Sequence, residues 1–99
     1  MTQHERIARY ENEMNRLSEA VRSLEEALDA FSEVKDLASD LDAYLGSEEW
    51  WQDFNDDEAG MLPAELKRGV LSEDALYNAL SDYRGLIVKL LETAADALR

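Results

Sequence analysis

The first third of the chain carries an unbroken heptad repeat of apolar residues, and this repeat restricts the fold more than any other feature. Its members recur at alternating spacings of three and four: Ile7, Tyr10, Met14, Leu17, Val21, Leu24, Leu28 and Phe31. That spacing places every member on one face of a helix, in the manner of helices that coil around a partner. Thr2 and Glu5 match a capping box, so we predict that the helix begins at Gln3.

The apolar face changes phase after Phe31. The next heptad position is Lys35, and the apolar face resumes at Val34 instead. A straight helix from residue 3 to residue 45 would be about 65 Å long, whereas a compact domain of this size has a radius of gyration of about 13 Å. We therefore predict a bend or break near residues 32–35. The alternative is a continuous helix that projects and pairs with another chain.

Glycine and serine mark the next boundaries. Gly46 is predicted to end the helix with a left-handed cap. Ser47 is predicted to cap a short helix, with acidic residues at its positive end. Residues 55–60 are predicted to form an acidic loop, because they combine polar, acidic and glycine residues.

A second long helix is predicted near the end of the sequence. Before it, Pro63 and Gly69 bound a predicted helical turn over residues 64–67. Ser72 is the predicted N-cap of the long helix. Its apolar positions again follow spacings of four and three: Leu76, Leu80, Tyr83, Ile87, Leu90 and Ala94. Gly85, inside this helix, indicates either a tolerated cost of about 1 kcal/mol or a place where the helix bends or another backbone approaches.

No strand pattern interrupts these elements, so we predict an all-α fold. The predicted architecture is an antiparallel helical hairpin of two long helices with one or two short helices between them. We expect this small helical bundle to form a single domain over residues 1–99.

Acidic side chains outnumber basic ones by 23 to 10, and the excess lies mainly in the middle of the chain. Residues 32–60 hold ten acidic side chains and one basic side chain, Lys35, which gives that segment a net charge of −9. A field of this sign repels nucleic-acid phosphates and anionic lipid headgroups, and it attracts cations or basic proteins. We therefore expect no direct nucleic-acid binding and no membrane binding. Solubility is the simplest use of the charge.

Cysteine is absent from the chain, which excludes disulfides, thiolate nucleophiles and cysteine zinc sites. We find no targeting segment and no apolar run long enough to span a bilayer, and we expect a cytoplasmic protein. No nucleophile–base pair, cofactor motif or metal-ligand set is evident. We therefore expect no enzymatic activity, no catalytic residue, no cofactor and no metal centre.

Aromatic and acidic residues in the middle segment form the candidate partner-binding surface. They are Trp50, Trp51, Asp53, Phe54, Asp56, Asp57 and Glu58. The simplest expectation places both tryptophans in the core. Because neighbouring residues project about 100° apart on a helix, one of the two can instead lie partly exposed beside the acids. An aromatic side chain in that setting suits an interface with a basic rim.

The same acidic residues suggest a different use, as ligands of a divalent cation. Asp53, Asn55 and Asp57 match the first three ligand positions of a calcium loop. Glu58 then stands where the turn glycine belongs, and Ala64 stands where the bidentate acid belongs. These departures disfavour a specific calcium site. Loose binding of divalent ions to the acidic cluster, including Asp56, stays an alternative.

Several short motifs between residues 44 and 77 resemble those of one bacterial family. They are Gly46-Ser47-Glu48-Glu49-Trp50, Asp53, Ala59-Gly60-x-Leu62-Pro63 and Arg68-Gly69-Val70-Leu71-Ser72-Glu73-Asp74. The chain resembles the family called domain of unknown function 4298, short intracellular helical proteins with a variable heptad-like first helix. It departs from the family pattern at Leu45, where a second tyrosine is expected. The resemblance implies a helical fold and a bacterial cytoplasmic setting, and it implies no activity, substrate or catalytic residue.

These patterns together predict a small non-enzymatic helical protein-interaction module whose specific task is unknown. The expected partner is another protein or a second copy of this chain. Two alternatives remain: an acidic regulator that mimics nucleic acid in a basic groove, and a protein that responds to divalent cations through its acidic loop.

Overall fold

The computed structural model describes residues 1–99, and every regular element in it is helical. The elements are α1 (Gln3–Ser32), α2 (Val34–Tyr44), α3 (Glu48–Glu58), a short 3₁₀ turn η1 (Gly69–Leu71) and α4 (Glu73–Ala97). The predicted all-α class is therefore confirmed. The antiparallel hairpin of the two long helices stays a prediction. None of the helices is long and apolar enough to cross a membrane.

The predicted break after Phe31 is confirmed at a single residue. α1 ends at Ser32, Glu33 forms a turn, and α2 begins at Val34. Ser32 helps to end α1, because its hydroxyl donates a hydrogen bond of 2.8 Å to the carbonyl of Asp29. Such a side-chain bond competes with the backbone bonds of a continuing helix.

Three predicted N-caps have the expected geometry. In each, a serine or threonine oxygen accepts a hydrogen bond from a backbone N–H three residues later, which satisfies one of the free amides of the first turn. The pairs are Thr2 with Glu5 at 3.1 Å, Ser47 with Trp50 at 3.1 Å, and Ser72 with Ala75 at 3.2 Å. The sequence therefore predicts correctly where α1, α3 and α4 begin.

The chain divides into two compact units, Met1–Lys35 and Asp36–Arg99. The first unit consists of α1 and the start of α2, and α1 has no buried side chain. The prediction of one domain over residues 1–99 stays a prediction.

The core of the second unit consists of four buried side chains. They are Trp50 from α3, Leu71 from η1, and Leu76 and Leu80 from α4. η1 packs against both α3 and α4. Leu71 and Leu76 flank the cap of α4, and their burial agrees with the hydrophobic staple that this spacing indicates.

The helical turn predicted over residues 64–67 is present only as one shorter hydrogen-bonded turn that begins at Pro63. Leu66 donates its backbone N–H to the carbonyl of Pro63 at 3.1 Å, and this turn does not continue into a helix. One isolated turn makes too few hydrogen bonds to offset the ordering of its residues. Gly69 consequently begins η1 instead of ending a helix.

Two glycines in this unit differ in whether their backbone conformation tolerates a side chain. Gly46 has the positive φ of +77° predicted for a left-handed cap, a conformation that side chains with a Cβ rarely adopt. Gly85 lies inside α4, and no atom lies within 4 Å of the position that its Cβ would occupy. No backbone of this chain therefore approaches Gly85 closely.

The substitution of alanine at these two glycines is expected to change stability in opposite directions. Gly46→Ala should lower the free energy of unfolding by about 1–2 kcal/mol, because alanine is strained at positive φ. Gly85→Ala should raise it by about 1 kcal/mol, because alanine favours a helix interior and has room there. Urea denaturation followed by circular dichroism measures both variants against the wild type. Equal signs for the two changes would contradict this assignment.

Candidate functional site

The predicted acidic loop over residues 55–60 is wrong, because α3 continues through Glu58. Only Ala59 and Gly60 form the turn that follows, and Gly60 has a φ of +72°. Residues two apart on a helix point about 200° away from each other. The three residues that match a calcium loop therefore do not converge, and no group of three or more acidic or histidine side chains is placed to hold a metal ion.

Trp50 lies in the core and offers no surface to a partner. Its side chain is 1% exposed. The indole N–H donates a hydrogen bond of 2.9 Å to the carbonyl of Val70 in η1. The Trp50 ring also stacks on Phe54, with 5.3 Å between centroids and 16° between planes. Trp50 therefore joins α3 to η1 through both burial and a directed hydrogen bond.

Trp51 is the tryptophan that remains at the surface, so the expectation that both tryptophans are in the core is wrong. It is 49% exposed and meets the rings of Trp50 and Phe54 edge-on, at centroid distances of 4.9 and 5.9 Å. Because neighbouring residues of α3 point in different directions, one indole faces the core and the other does not. Trp51 is thus the exposed aromatic side chain of the predicted partner-binding surface.

The side chain of Asp53 forms a hydrogen bond with another residue of the second unit. Its carboxylate accepts a hydrogen bond of 2.6 Å from the hydroxyl of Tyr44, the last residue of α2. This bond, partial burial, and the negative charges of Asp53 and Glu49 raise the pKa of Tyr44 to about 12. The bond joins the end of α2 to the middle of α3.

Asp57 also has an internal partner, the guanidinium of Arg68. Both side chains are less than one third exposed, and Arg68 donates a further bond of 3.4 Å to the carbonyl of Ala64. The last turn of α3 contains three acidic residues and no basic residue, which is unfavourable at the negative end of a helix dipole. Arg68 supplies the missing positive charge from outside the helix.

Asp56 is half-buried and Glu58 is exposed. The seven residues of the predicted surface therefore have different environments. Trp50 belongs to the core, Asp53 and Asp57 hold the unit together, and Trp51 and Glu58 face solvent. A partner-binding role for the exposed members stays a prediction.

Two clefts open on the second unit beside these bonds. The first has a volume of about 220 Å³ and is lined by several leucines together with Asp53 and Arg68. These two charged side chains are already bonded, Asp53 to Tyr44 and Arg68 to Asp57. The second is an apolar groove of about 500 Å³ between α2, η1 and α4, with Lys67 at its edge. Their linings suit apolar contact more than acid–base chemistry, which requires titratable groups that are free to react.

The sequence did not single out Tyr44 or Arg68 as parts of this site. Both residues fall within the region that carries the family resemblance, and Arg68 and Lys67 are the only basic residues between Lys35 and Arg84. A basic residue that is so isolated among acidic ones is a signal for an ion pair with structural importance. Val70 contributes only its carbonyl group, which no side-chain pattern reveals.

The heptad face of α1 carries more exposed large apolar side chains than any other helix of this chain. Seven of its eight members are between 42% and 66% exposed. They are Ile7, Tyr10, Met14, Leu17, Val21, Leu24 and Leu28. Scattered exposed apolar residues are ordinary, whereas a contiguous row on one face marks an interaction surface. We call this row, together with Phe31, the α1 stripe.

Comparison with known proteins gives one match. The sequence model of the family described as "Domain of unknown function (DUF4298)" matches residues 7–93. No curated protein and no solved structure matches the chain.

Replacement by phenylalanine should lower the free energy of unfolding much more at Trp50 than at Trp51. Trp50→Phe removes the bond to Val70 and leaves a space in the core, so the free energy of unfolding should fall by about 2 kcal/mol. Trp51→Phe keeps an aromatic ring at a half-exposed position and should change it by about 0.5 kcal/mol or less. Urea denaturation gives both values. A cost for Trp51→Phe that equals that of Trp50→Phe would contradict the packing described.

The hydrogen bond between Tyr44 and Asp53 should be visible in a pH titration. Because the folded pKa of Tyr44, about 12, lies above the ordinary tyrosine value of 10.0, the bond stabilises the fold below pH 10 and is lost as the pH rises through about 12. Phenolate absorbance should show a step near pH 12 that Tyr44→Phe removes and Tyr77→Phe leaves in place. At neutral pH, Tyr44→Phe should also lose about 1 kcal/mol of stability. Persistence of the step in Tyr44→Phe would refute the assignment.

Proposed function

The chain belongs to the family described as a domain of unknown function (DUF4298), and we propose that it acts as a non-enzymatic helical module that binds another protein helix through the α1 stripe. The observation that carries the proposal is the length of this uncovered heptad face. α1 has 30 residues and no buried side chain. Its apolar face extends without interruption over eight positions.

An isolated helix in water is only marginally stable even when its sequence favours helix, because most helical stability in proteins comes from packing of an apolar face. α1 is the only complete helix of the first unit, so no second helix of that unit covers the stripe. A repeat of about 3.5 residues is matched best by a helix with the same repeat. These arguments support a helical partner.

A protein partner suits α1 better than a membrane surface does. Helices that lie on anionic membranes carry mainly lysine and arginine on their polar face. α1 instead carries seven acidic and four basic side chains. Its polar face would therefore be repelled by anionic headgroups, whereas its mixed charges suit pairing with charges on another helix.

Two further predictions stand beside this proposal, of which the first competes with it and the second concerns its setting. The first is the antiparallel hairpin, in which α4 of the same chain covers the α1 stripe; this is the arrangement with which a bound partner competes. The second is a cytoplasmic setting, which the absence of cysteine supports. Trp51 and Glu58 provide a candidate second contact surface on α3, in addition to the stripe proposed here.

A lysine placed in the α1 stripe should abolish binding, whereas a lysine on the opposite face should not. Leu17→Lys puts an ammonium group into the contact, and burial of an unpaired charge costs several kcal/mol. We expect at least a tenfold loss of affinity, which corresponds to about 1.4 kcal/mol. Glu19→Lys introduces the same side chain about 170° from the centre of the stripe and is the matched control.

The measurements are light scattering of the purified chain and capture of proteins from a bacterial lysate, with circular dichroism to confirm equal helix content. Loss of association in Leu17→Lys but not in Glu19→Lys supports the proposal. A wild-type chain that is monomeric and captures nothing contradicts it and favours the hairpin instead. Equal binding by both variants also contradicts it.

A further inference from the structure

We propose that the partner of the α1 stripe is α1 of a second copy of this chain, and that the two helices run parallel and in register as a two-stranded coiled coil. This inference rests on the proposed function and names its partner and geometry. Four features of α1 carry it: its length, the residue types of the stripe, the charges on its two flanks and one specific charge pair.

The length of the stripe is the first argument. It covers four heptads within α1, and stable coiled coils need about three to four. The other long helix, α4, has Leu76 and Leu80 buried in its own unit. Apart from Tyr77, the exposed large apolar residues of α4 lie between Leu86 and Leu91, which is less than one heptad. The helix that matches α1 in both length and repeat is a second α1.

The residue types of the stripe are the second argument. With Ile7 assigned to heptad position a, Val21 is also an a residue, and Leu17 and Leu24 are d residues. β-branched residues at a with leucine at d favour two parallel strands over higher oligomers. Four of the eight a and d positions therefore follow the pattern of parallel dimers, and the other four are Tyr10, Met14, Leu28 and Phe31.

Opposite charges on the two flanks of the stripe are the third argument. One flank, at positions g and c, is mainly basic, and the other, at positions e and b, is mainly acidic. The basic flank contains Arg6, Arg9 and Arg16, with Glu13 paired to Arg9 at 3.4 Å. The acidic flank contains Glu11, Glu25 and Asp29, with Arg22 as its one basic residue. In a parallel pair each basic flank lies beside the acidic flank of the other helix. In an antiparallel pair, flanks of like sign meet, which is unfavourable.

One charge pair is expected to set the register. In a parallel coiled coil, a g residue lies beside the e residue five positions later on the partner. Arg6 of each helix therefore meets Glu11 of the other, twice in each dimer. On a single helix these two residues lie on opposite flanks and do not meet. The other g–e pairs join no like charges: Glu13 with Ser18, Ala20 with Glu25, and Ala27 with Ser32.

A single introduced cysteine tests the orientation, because the chain has no other thiol. In the parallel dimer, position 14 of one helix faces position 14 of the other, within the Cα separation of about 4–7 Å that a disulfide requires. In a fully overlapped antiparallel dimer, position 14 faces position 24, and the two introduced thiols lie about 15 Å apart along the axis. Under mild oxidation, full-length Met14→Cys should form a disulfide-linked dimer, and the control Glu19→Cys, on the outer face, should not.

Charge exchange tests the register. Arg6→Glu and Glu11→Arg should each raise the dissociation constant of the dimer on the order of fivefold, because each places like charges together twice. The double variant Arg6→Glu/Glu11→Arg restores opposite charges and should return to within about twofold of the wild type. Sedimentation equilibrium of the full-length chain measures these constants.

The outcomes separate this inference from the proposed function. A dimer in which Met14→Cys stays reduced while Met14→Cys/Leu24→Cys cross-links would overturn the parallel orientation, and binding through the α1 stripe would stand. A double charge variant as weak as the single ones would overturn the register. A monomeric chain that captures a different protein, and loses it on Leu17→Lys, would overturn the second copy as partner and retain the proposed function.

Discussion

Burial of Trp50 is the interaction on which the second unit depends. This side chain is the largest fully buried one, and its indole N–H is bonded to the carbonyl of Val70. Asp53 lies three residues after Trp50 and Asp57 four residues after Asp53, which places all three on one face of α3. Asp53 holds the end of α2 through Tyr44, and Asp57 holds the segment before η1 through Arg68. Most of the charge on this face therefore serves to position neighbouring segments.

The first unit has no comparable interaction. α1 buries no side chain, and its i,i+4 ion pair between Arg9 and Glu13 is exposed and contributes little. A small domain can leave some apolar surface uncovered, but eight heptad positions in succession exceed what solubility or chance explains. The chain thus combines a unit that is held by its own core with a helix whose packing requires another surface. That contrast is the basis for assigning the binding role to α1.

Local signals in the sequence predicted the boundaries of the helices well, because a cap or a break depends on a few neighbouring residues. Thr2, Ser47 and Ser72 begin helices as expected, and the phase change after Phe31 corresponds to the break at Glu33.

The site was predicted less well. The acidic residues of α3 suggest a loop when only their neighbours in sequence are considered. They are helical because this face is bonded to residues outside the helix: Asp53 to Tyr44, nine positions away, and Asp57 to Arg68, eleven positions away. Neither periodicity nor propensity reveals such bonds, and the separate environments of Trp50 and Trp51 follow only from where η1 lies.

Hydrogen–deuterium exchange at two protein concentrations tests most directly the claim that α1 is covered by another chain. Backbone amides of a covered helix are protected, and those of an uncovered one exchange freely. The account predicts that amides of α1 lose protection on dilution below the dissociation constant, while those of α3 and α4 near Trp50 keep theirs. Protection of α1 that does not change with concentration, in a chain that remains monomeric and unbound, would contradict it and would show that the chain covers its own stripe.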